Sequence, residues 1–291
     1  MALRVLTVMF AVLAGPAAAQ SAAGAISIVA AENFYGDVAE QLAGTNATVH
    51  SILSNPDQDP HLFEVSPSVA RVLSGAVIVI YNGADYDPWM TKLLSATRSP
   101  GRKVIMVANL VHRTAGDNPH LWYDPSTMPA YGKALVAALS ERDPAHASDY
   151  DQRLRAFLAS LQPIDAKVAE LRQKFGGIQV TATEPVFGYM SAVLGFKMRN
   201  ERFQLAVMNS AEPRASDVAA FENDLREHAV RLLFYNSQAA GAAAQRLVRI
   251  AQQSKVPVVG VTETEPPGKN YQEWMMGELD AVAQALSSAP L

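Results

Sequence analysis

Two histidines and two glutamates carry the chemistry that this sequence offers. His61 lies in Asp59-Pro60-His61-Leu62-Phe63-Glu64 and His120 in Asn118-Pro119-His120-Leu121-Trp122-Tyr123-Asp124-Pro125, so two separate segments share a Pro-His-Leu-aromatic string. Glu184 and Glu263 each stand two residues beyond an apolar, β-branched run, one ending at Ala182 and the other at Val261. Imidazole nitrogen and carboxylate oxygen together suit a first-row divalent transition metal ion. Two carboxylates also neutralise its double charge, which removes most of the cost of burying it. Carboxylates favour manganese or ferrous iron, and zinc accepts the same ligands.

A lone loop histidine is ordinarily a surface or hydrogen-bonding residue. That is the reading for His50, His112, His146 and His228, and the duplicated string sets His61 and His120 apart. A strand-end glutamate alone is usually solvated or caps a helix, so Glu184 and Glu263 rest on their pairing with the histidines. Glu265 is the rival to Glu263, and Asp59, Glu64 or Asp124 are candidates to accept the histidine N–H groups. Trp89, Trp122 and Trp274 read as packing residues.

The elements that must position these groups follow from hydrophobic period. Short β-branched runs alternate with longer helical patterns, the signature of parallel strands with helical crossovers. Candidate strands are 26–30, 47–52, 76–81 and 103–107, then 178–182, a weaker 203–208, 232–235 and 256–261. Between the two sets, Tyr150, Leu154, Phe157, Leu161, Ile164, Val168, Leu171 and Phe175 recur four and three apart. That spacing is one apolar stripe of a long helix, with Pro163 expected to kink or split it.

The expected fold is α/β: two lobes of mainly parallel sheet flanked by helices and joined by one long backbone helix, with the metal in the interlobe cleft. Its divisions are residues 25–142, the linking helix 143–176, and residues 177–291. In such sheets ligands bind beyond the carboxyl ends of the strands, where all four candidate ligands map. The strings Val77-Ile78-Val79-Ile80-Tyr81-Asn82 and Arg231-Leu232-Leu233-Phe234-Tyr235-Asn236 suggest a weak internal repeat, the asparagines themselves reading as turn residues.

The chain has 291 residues, 49% of them hydrophobic, a formal net charge of −4 and no cysteine. The length accommodates two lobes, and the absence of a basic run argues against nucleic acid or an anionic membrane surface as partner. No thiolate metal site, disulfide or cysteine-linked lipid is possible without cysteine. Residues 1–19 read as a signal peptide cleaved near Ala19: Arg4 precedes the apolar stretch from Val5 to Leu13, and Ala17-Ala18-Ala19 supplies the small residues. The mature chain is expected to be periplasmic, soluble and monomeric, with no direct membrane insertion.

At these residues the chain resembles the zinc- and manganese-type metal-binding receptors of bacterial ABC importers. The resemblance rests on Asp59-Pro60-His61, on Asn118-Pro119-His120 with Trp122 and Asp124-Pro125, on Asn82-Gly83 with Trp89, and on Phe187-Gly188-Tyr189. It implies two lobes joined by a backbone helix, limited closure on binding, a membrane permease as partner, and no catalysis. It also implies a four-ligand site, with His61 and His120 first and second. Glutamate at the third position, Glu184, matches manganese-type relatives, and glutamate replaces the usual aspartate at the fourth, Glu263. The segment 111–117 holds one histidine where zinc-type relatives carry a long histidine-rich loop, which leans toward manganese or iron.

Two other classes are consistent with exported α/β lobes. A secreted metal-dependent hydrolase would use Glu184 or Glu263 as general base on a metal-bound water, but no His-Glu-x-x-His helix or serine elbow accompanies them. A two-lobed receptor for an organic solute would not need two Pro-His loops facing two glutamates.

Overall fold

The computed structural model describes residues 26–55, 63–238 and 241–288. The signal-peptide segment and His61 lie outside these described residues. The first lobe is built on β1 (Ile26–Glu32), β2 (Ala47–Leu53), β3 (Ile78–Tyr81) and β4 (Lys103–Met106), all parallel, in the spatial order β2-β1-β3-β4. The second uses β5 (Gln179–Ala182), β6 (Lys197–Arg199), β7 (Leu233–Asn236) and β8 (Val258–Val261), again parallel, in the order β6-β5-β7-β8. The two orders are the same topology used twice. In each, the winding direction reverses between the first and third strands, which opens a crevice at their carboxyl ends.

Crossover helices cover both faces of each sheet. In the first lobe these are α1 (Asn33–Ala43), α2 (Pro67–Ser74), α3 (Pro88–Ala96), the short α4 (Val107–Leu110) and α5 (Thr127–Arg142). Residues 143–176, expected as one helix kinked or split at Pro163, run as α6 (Ala147–Ser160) and α7 (Gln162–Phe175), separated at Leu161. The proline has no N–H to continue the ladder. Around the break Ile164 and Asp165 both donate to the Leu161 carbonyl. The apolar stripe stays continuous through it: Tyr150, Phe157, Leu161, Ile164, Val168 and Leu171 are all buried in one core.

The second lobe follows with α8 (Gly188–Val193), α9 (Glu201–Met208), α10 (Ala215–Arg226), α11 (Ala242–Gln253) and α12 (Tyr271–Ser288). Residues 203–208, expected as a weak strand, are helical, and the edge strand is the three-residue β6 before them. A short apolar run does not distinguish strand from helix by itself. Here Asn200 takes a left-handed conformation (φ 59°) that ends the strand, and Phe203 and Val207 then fall one turn apart against Phe221 and Leu225. Arg199 pins the edge strand to α10 through a two-pronged contact with Asp224, at 2.8 and 2.7 Å.

The lobes are not separate hydrophobic bodies. Phe34, Trp122 and Tyr123 of the first lobe and Phe187, Phe234, Tyr271 and Trp274 of the second belong to a single buried cluster. The Phe34 and Trp122 rings lie 4.5 Å apart, and Tyr123 meets Trp274 at 5.6 Å. Such close aromatic packing resists rigid-body rotation of the lobes. No helix among the described residues is long and apolar enough to cross a membrane.

Candidate metal centre

His120, Glu184 and Glu263 converge at the interlobe boundary, each offering one ligand atom within 4.8 Å of the other two. They are the one such group of three or more among the described residues. His120 comes from the loop after α4, Glu184 from the turn after β5, and Glu263 from the turn after β8. All three are buried, His120 and Glu263 completely.

The protonation pattern of His120 follows from its neighbours. Its Nδ1 lies 2.6 Å from Asn118 Oδ1, and Asn118 in turn donates from Nδ2 to the Pro185 carbonyl at 2.7 Å. The amide orientation is thereby set, and an amide oxygen only accepts, so the imidazole hydrogen sits on Nδ1. Nε2 then faces Glu263 Oε2, 3.6 Å away, with both side chains fully buried. That separation is too long for a hydrogen bond. It suits a shared cation, since ligands about 2.0–2.2 Å from a tetrahedral ion stand roughly 3.4 Å apart.

Asn236, the last residue of β7, organises the two carboxylates. Its Nδ2 donates to Glu184 Oε2 and to Glu263 Oε1, both at 2.6 Å. One amide thus uses both hydrogens to hold one oxygen of each glutamate. Gln238 supports the same turn by accepting from the backbone N–H groups of Glu263 (2.5 Å) and Thr264 (3.0 Å). Burial first, and then the charges of Glu263 and Glu32, push the Tyr86 phenol well up, so it keeps its proton beside Glu263.

The first lobe has a matching anchor in Asn82, which follows β3 as Asn236 ends β7. Its Nδ2 donates to the Pro119 carbonyl at 2.9 Å, and its Oδ1 accepts from Tyr35 at 2.7 Å. Asp87 closes the Asn82-Gly83 turn by accepting both backbone N–H groups, at 2.7 and 2.9 Å. Gly83 needs its positive φ (79°) and has no room for a side chain, since a Cβ would meet Met106 at 2.7 Å. Behind the turn, Glu32 is fully buried beside Asp87. Burial first, and then the Asp87 charge, push its carboxyl well up, and burial raises Asp87 to about 6.

Sequence reasoning and geometry diverge at several positions. The histidine N–H acceptor is Asn118, not Asp124, which instead closes a turn by accepting from Ser126 N and Oγ. Glu265 stands outside the three-residue group. Its backbone pairs with the Asn33 side chain, and burial followed by the charges of Asp37, Glu40 and Glu273 raises its carboxyl to about 9. Asn82 and Asn236, turn residues by sequence, are both buried and hold ligand-bearing segments. The Tyr-Asn repeat was the signal that could have found them. Trp122 and Trp274 are core residues, and Trp89 packs on Phe63 with ring centroids 4.5 Å apart.

Comparison with known proteins agrees with this architecture. The chain is 23% identical over 286 residues to the manganese ABC transporter substrate-binding lipoprotein PsaA of Streptococcus anginosus, covering 90% of this chain and 89% of that one. It is 23% identical over 287 residues to the iron ABC transporter substrate-binding lipoprotein MtsA of Streptococcus pyogenes serotype M1, with the same coverage. Its fold matches the periplasmic zinc binding protein TroA from Treponema pallidum with a TM-score of 0.78 at 21% identity, over 90% of this chain and 99% of that one. Residues 28–285 match the family described as ZnuA, zinc-uptake complex component A, periplasmic, and the chain therefore belongs to that family of solute-binding receptors.

Proposed function

We propose that this protein is an exported, periplasmic receptor that captures one divalent transition metal ion and delivers it to the membrane permease of an ABC importer. His120, Glu184 and Glu263 are ligands, and His61, outside the described residues, is the fourth. The observation that carries this reading is the opposed pair His120 Nε2 and Glu263 Oε2, two buried atoms of metal-ligating type from different lobes at 3.6 Å. A divalent cation held between them would have its charge neutralised by Glu184 and Glu263.

Four protein ligands close the coordination sphere and leave no water to activate, so the protein binds without turnover. The nitrogen and oxygen set favours manganese or ferrous iron, with zinc as competitor through its higher intrinsic affinity. The mature chain acts as a monomer with residues 25–142 and 177–291 as its lobes, and the shared aromatic core makes closure small.

The test is metal analysis of protein purified without chelator, followed by competition of manganese, ferrous iron and zinc for the stripped form. One equivalent of metal and a large thermal stabilisation are expected. No bound metal and no stabilisation by any of the three ions would overturn the reading and point to an organic solute.

A further inference from the structure

The most unusual buried group outside the ligand set is Glu278, on the second turn of α12. It is only 8% exposed, lies in a bed of aromatic rings, and has no cationic partner among the described salt bridges. Three donors converge on its Oε1: the Tyr123 hydroxyl at 2.9 Å, Trp274 Nε1 at 2.9 Å and the Thr262 backbone N–H at 3.3 Å. The Tyr123 hydroxyl also lies 2.8 Å from the Thr262 carbonyl. Tyr123 stands three residues after His120 in the first lobe, and Thr262 immediately precedes Glu263 in the second.

A buried carboxyl is expensive wherever packing alone would suffice, and a leucine would fill an aromatic cluster at lower cost. What a carboxyl adds is direction: one oxygen joins the segment carrying a nitrogen ligand to the segment carrying an oxygen ligand. Elsewhere α12 crosses the same boundary, with Tyr271 donating to the Trp122 carbonyl at 2.7 Å. Asn118, through the Pro185 carbonyl, makes the corresponding tie between the His120 and Glu184 segments. The His120 loop is thereby tied to both glutamate turns, and the Glu263 tie runs through Glu278.

We propose that Glu278 is a positioning residue that sets the spacing between His120 and Glu263, and through that spacing the choice among divalent metals. The proposal rests on the metal-receptor reading. Ions that differ in preferred bond length and coordination number are distinguished by how rigidly the donors are held.

The experiment measures Kd for manganese and zinc on the stripped protein, beside apo thermal midpoints, for wild type, Glu278→Leu, Glu278→Gln and Tyr123→Phe. Glu278→Leu is expected to weaken binding by at least about tenfold and to change the manganese-to-zinc Kd ratio, whereas Glu278→Gln, which keeps the accepting oxygen, stays within about threefold. A purely structural role would lower the apo midpoint and leave the ratio untouched. Tyr123→Phe keeps the ring and removes only the hydroxyl, so it reads the same link if the leucine variant does not fold. Wild-type affinities and ratio in folded Glu278→Leu, or in Tyr123→Phe when the leucine variant is unfolded, would overturn the proposal alone. Absence of metal binding by the wild type would overturn the receptor reading with it.

Discussion

His120 Nε2 and Glu263 Oε2 face each other at 3.6 Å across the lobe boundary, both without solvent exposure. Each follows the fourth strand of its own sheet, so the same topological position supplies a nitrogen donor in one lobe and an oxygen donor in the other. The consequences of that relationship can be measured.

Alanine at His120 is expected to abolish metal-dependent thermal stabilisation. At a metal concentration a hundred times Kd the wild type should gain about 2.7 kcal/mol. A retained shift of similar size in the variant would show that the ion binds elsewhere.

Glutamine at Glu263 should act in opposite directions with and without metal. It removes one of two neighbouring buried carboxylates and gives His120 Nε2 an amide N–H to accept, so the stripped protein should melt roughly 2–4 °C higher. Metal should stabilise it far less than wild type. Paired melting curves with chelator and with excess manganese check both signs.

Replacing Asn236 by leucine takes the shared donor from Glu184 and Glu263 while leaving both ligands in the chain. Metal affinity should fall by about 10- to 100-fold. Titration calorimetry showing an unchanged Kd would reduce Asn236 to a packing residue.

Gly188 has an ordinary helical conformation, but a Cβ there would lie 2.8 Å from Asn118 Nδ2. Gly188→Ala should therefore displace the Asn118 amide, loosen the His120 ring and weaken metal binding by about tenfold. The apo midpoint should move little, because alanine is a better helix former than glycine.

Glu278 makes the stability of the stripped protein pH-dependent. Burial raises its carboxyl to about 8 despite hydrogen bonds from Tyr123, Trp274 and Thr262 that oppose the shift. The unfolded chain ionises this group near its ordinary value of 4.5, so between these limits the folded state holds the extra proton and stability falls as pH rises. The loss from this group, on the order of a few kcal/mol, should be complete slightly above pH 8 and absent from Glu278→Gln. Chemical denaturation of both proteins at pH 5 and pH 8.5 gives the comparison.

Much of this was legible in the sequence because it depends on local pattern. β-branched runs marked seven of the eight strands to within about two residues, and the four-three spacing from Tyr150 to Phe175 marked the linking helices. Residues 203–208 were misread because one apolar run of six residues satisfies either period until its packing partners are known. The candidate ligands were legible because Pro-His-Leu-aromatic occurs twice and because strand ends are where such sheets bind. Tyr86 and Glu278 carry no sequence signal, and Asn118 and Asn236 show only as a motif member and a turn residue, since the partners that give all four their roles are distant in the chain.

By itself, then, the sequence determined the parallel α/β organisation and the chemical kind of the site, because strand and helix periods and donor types are properties of neighbouring residues. The tertiary structure alone decided which donors meet. It brought His120 to Glu263, 143 positions further along the chain, chose Asn118 to place the imidazole hydrogen, and set one amide between two carboxylates. Those outcomes depend on how two sheets and α12 pack around a shared aromatic core, and packing is decided by shape and burial over the whole chain at once.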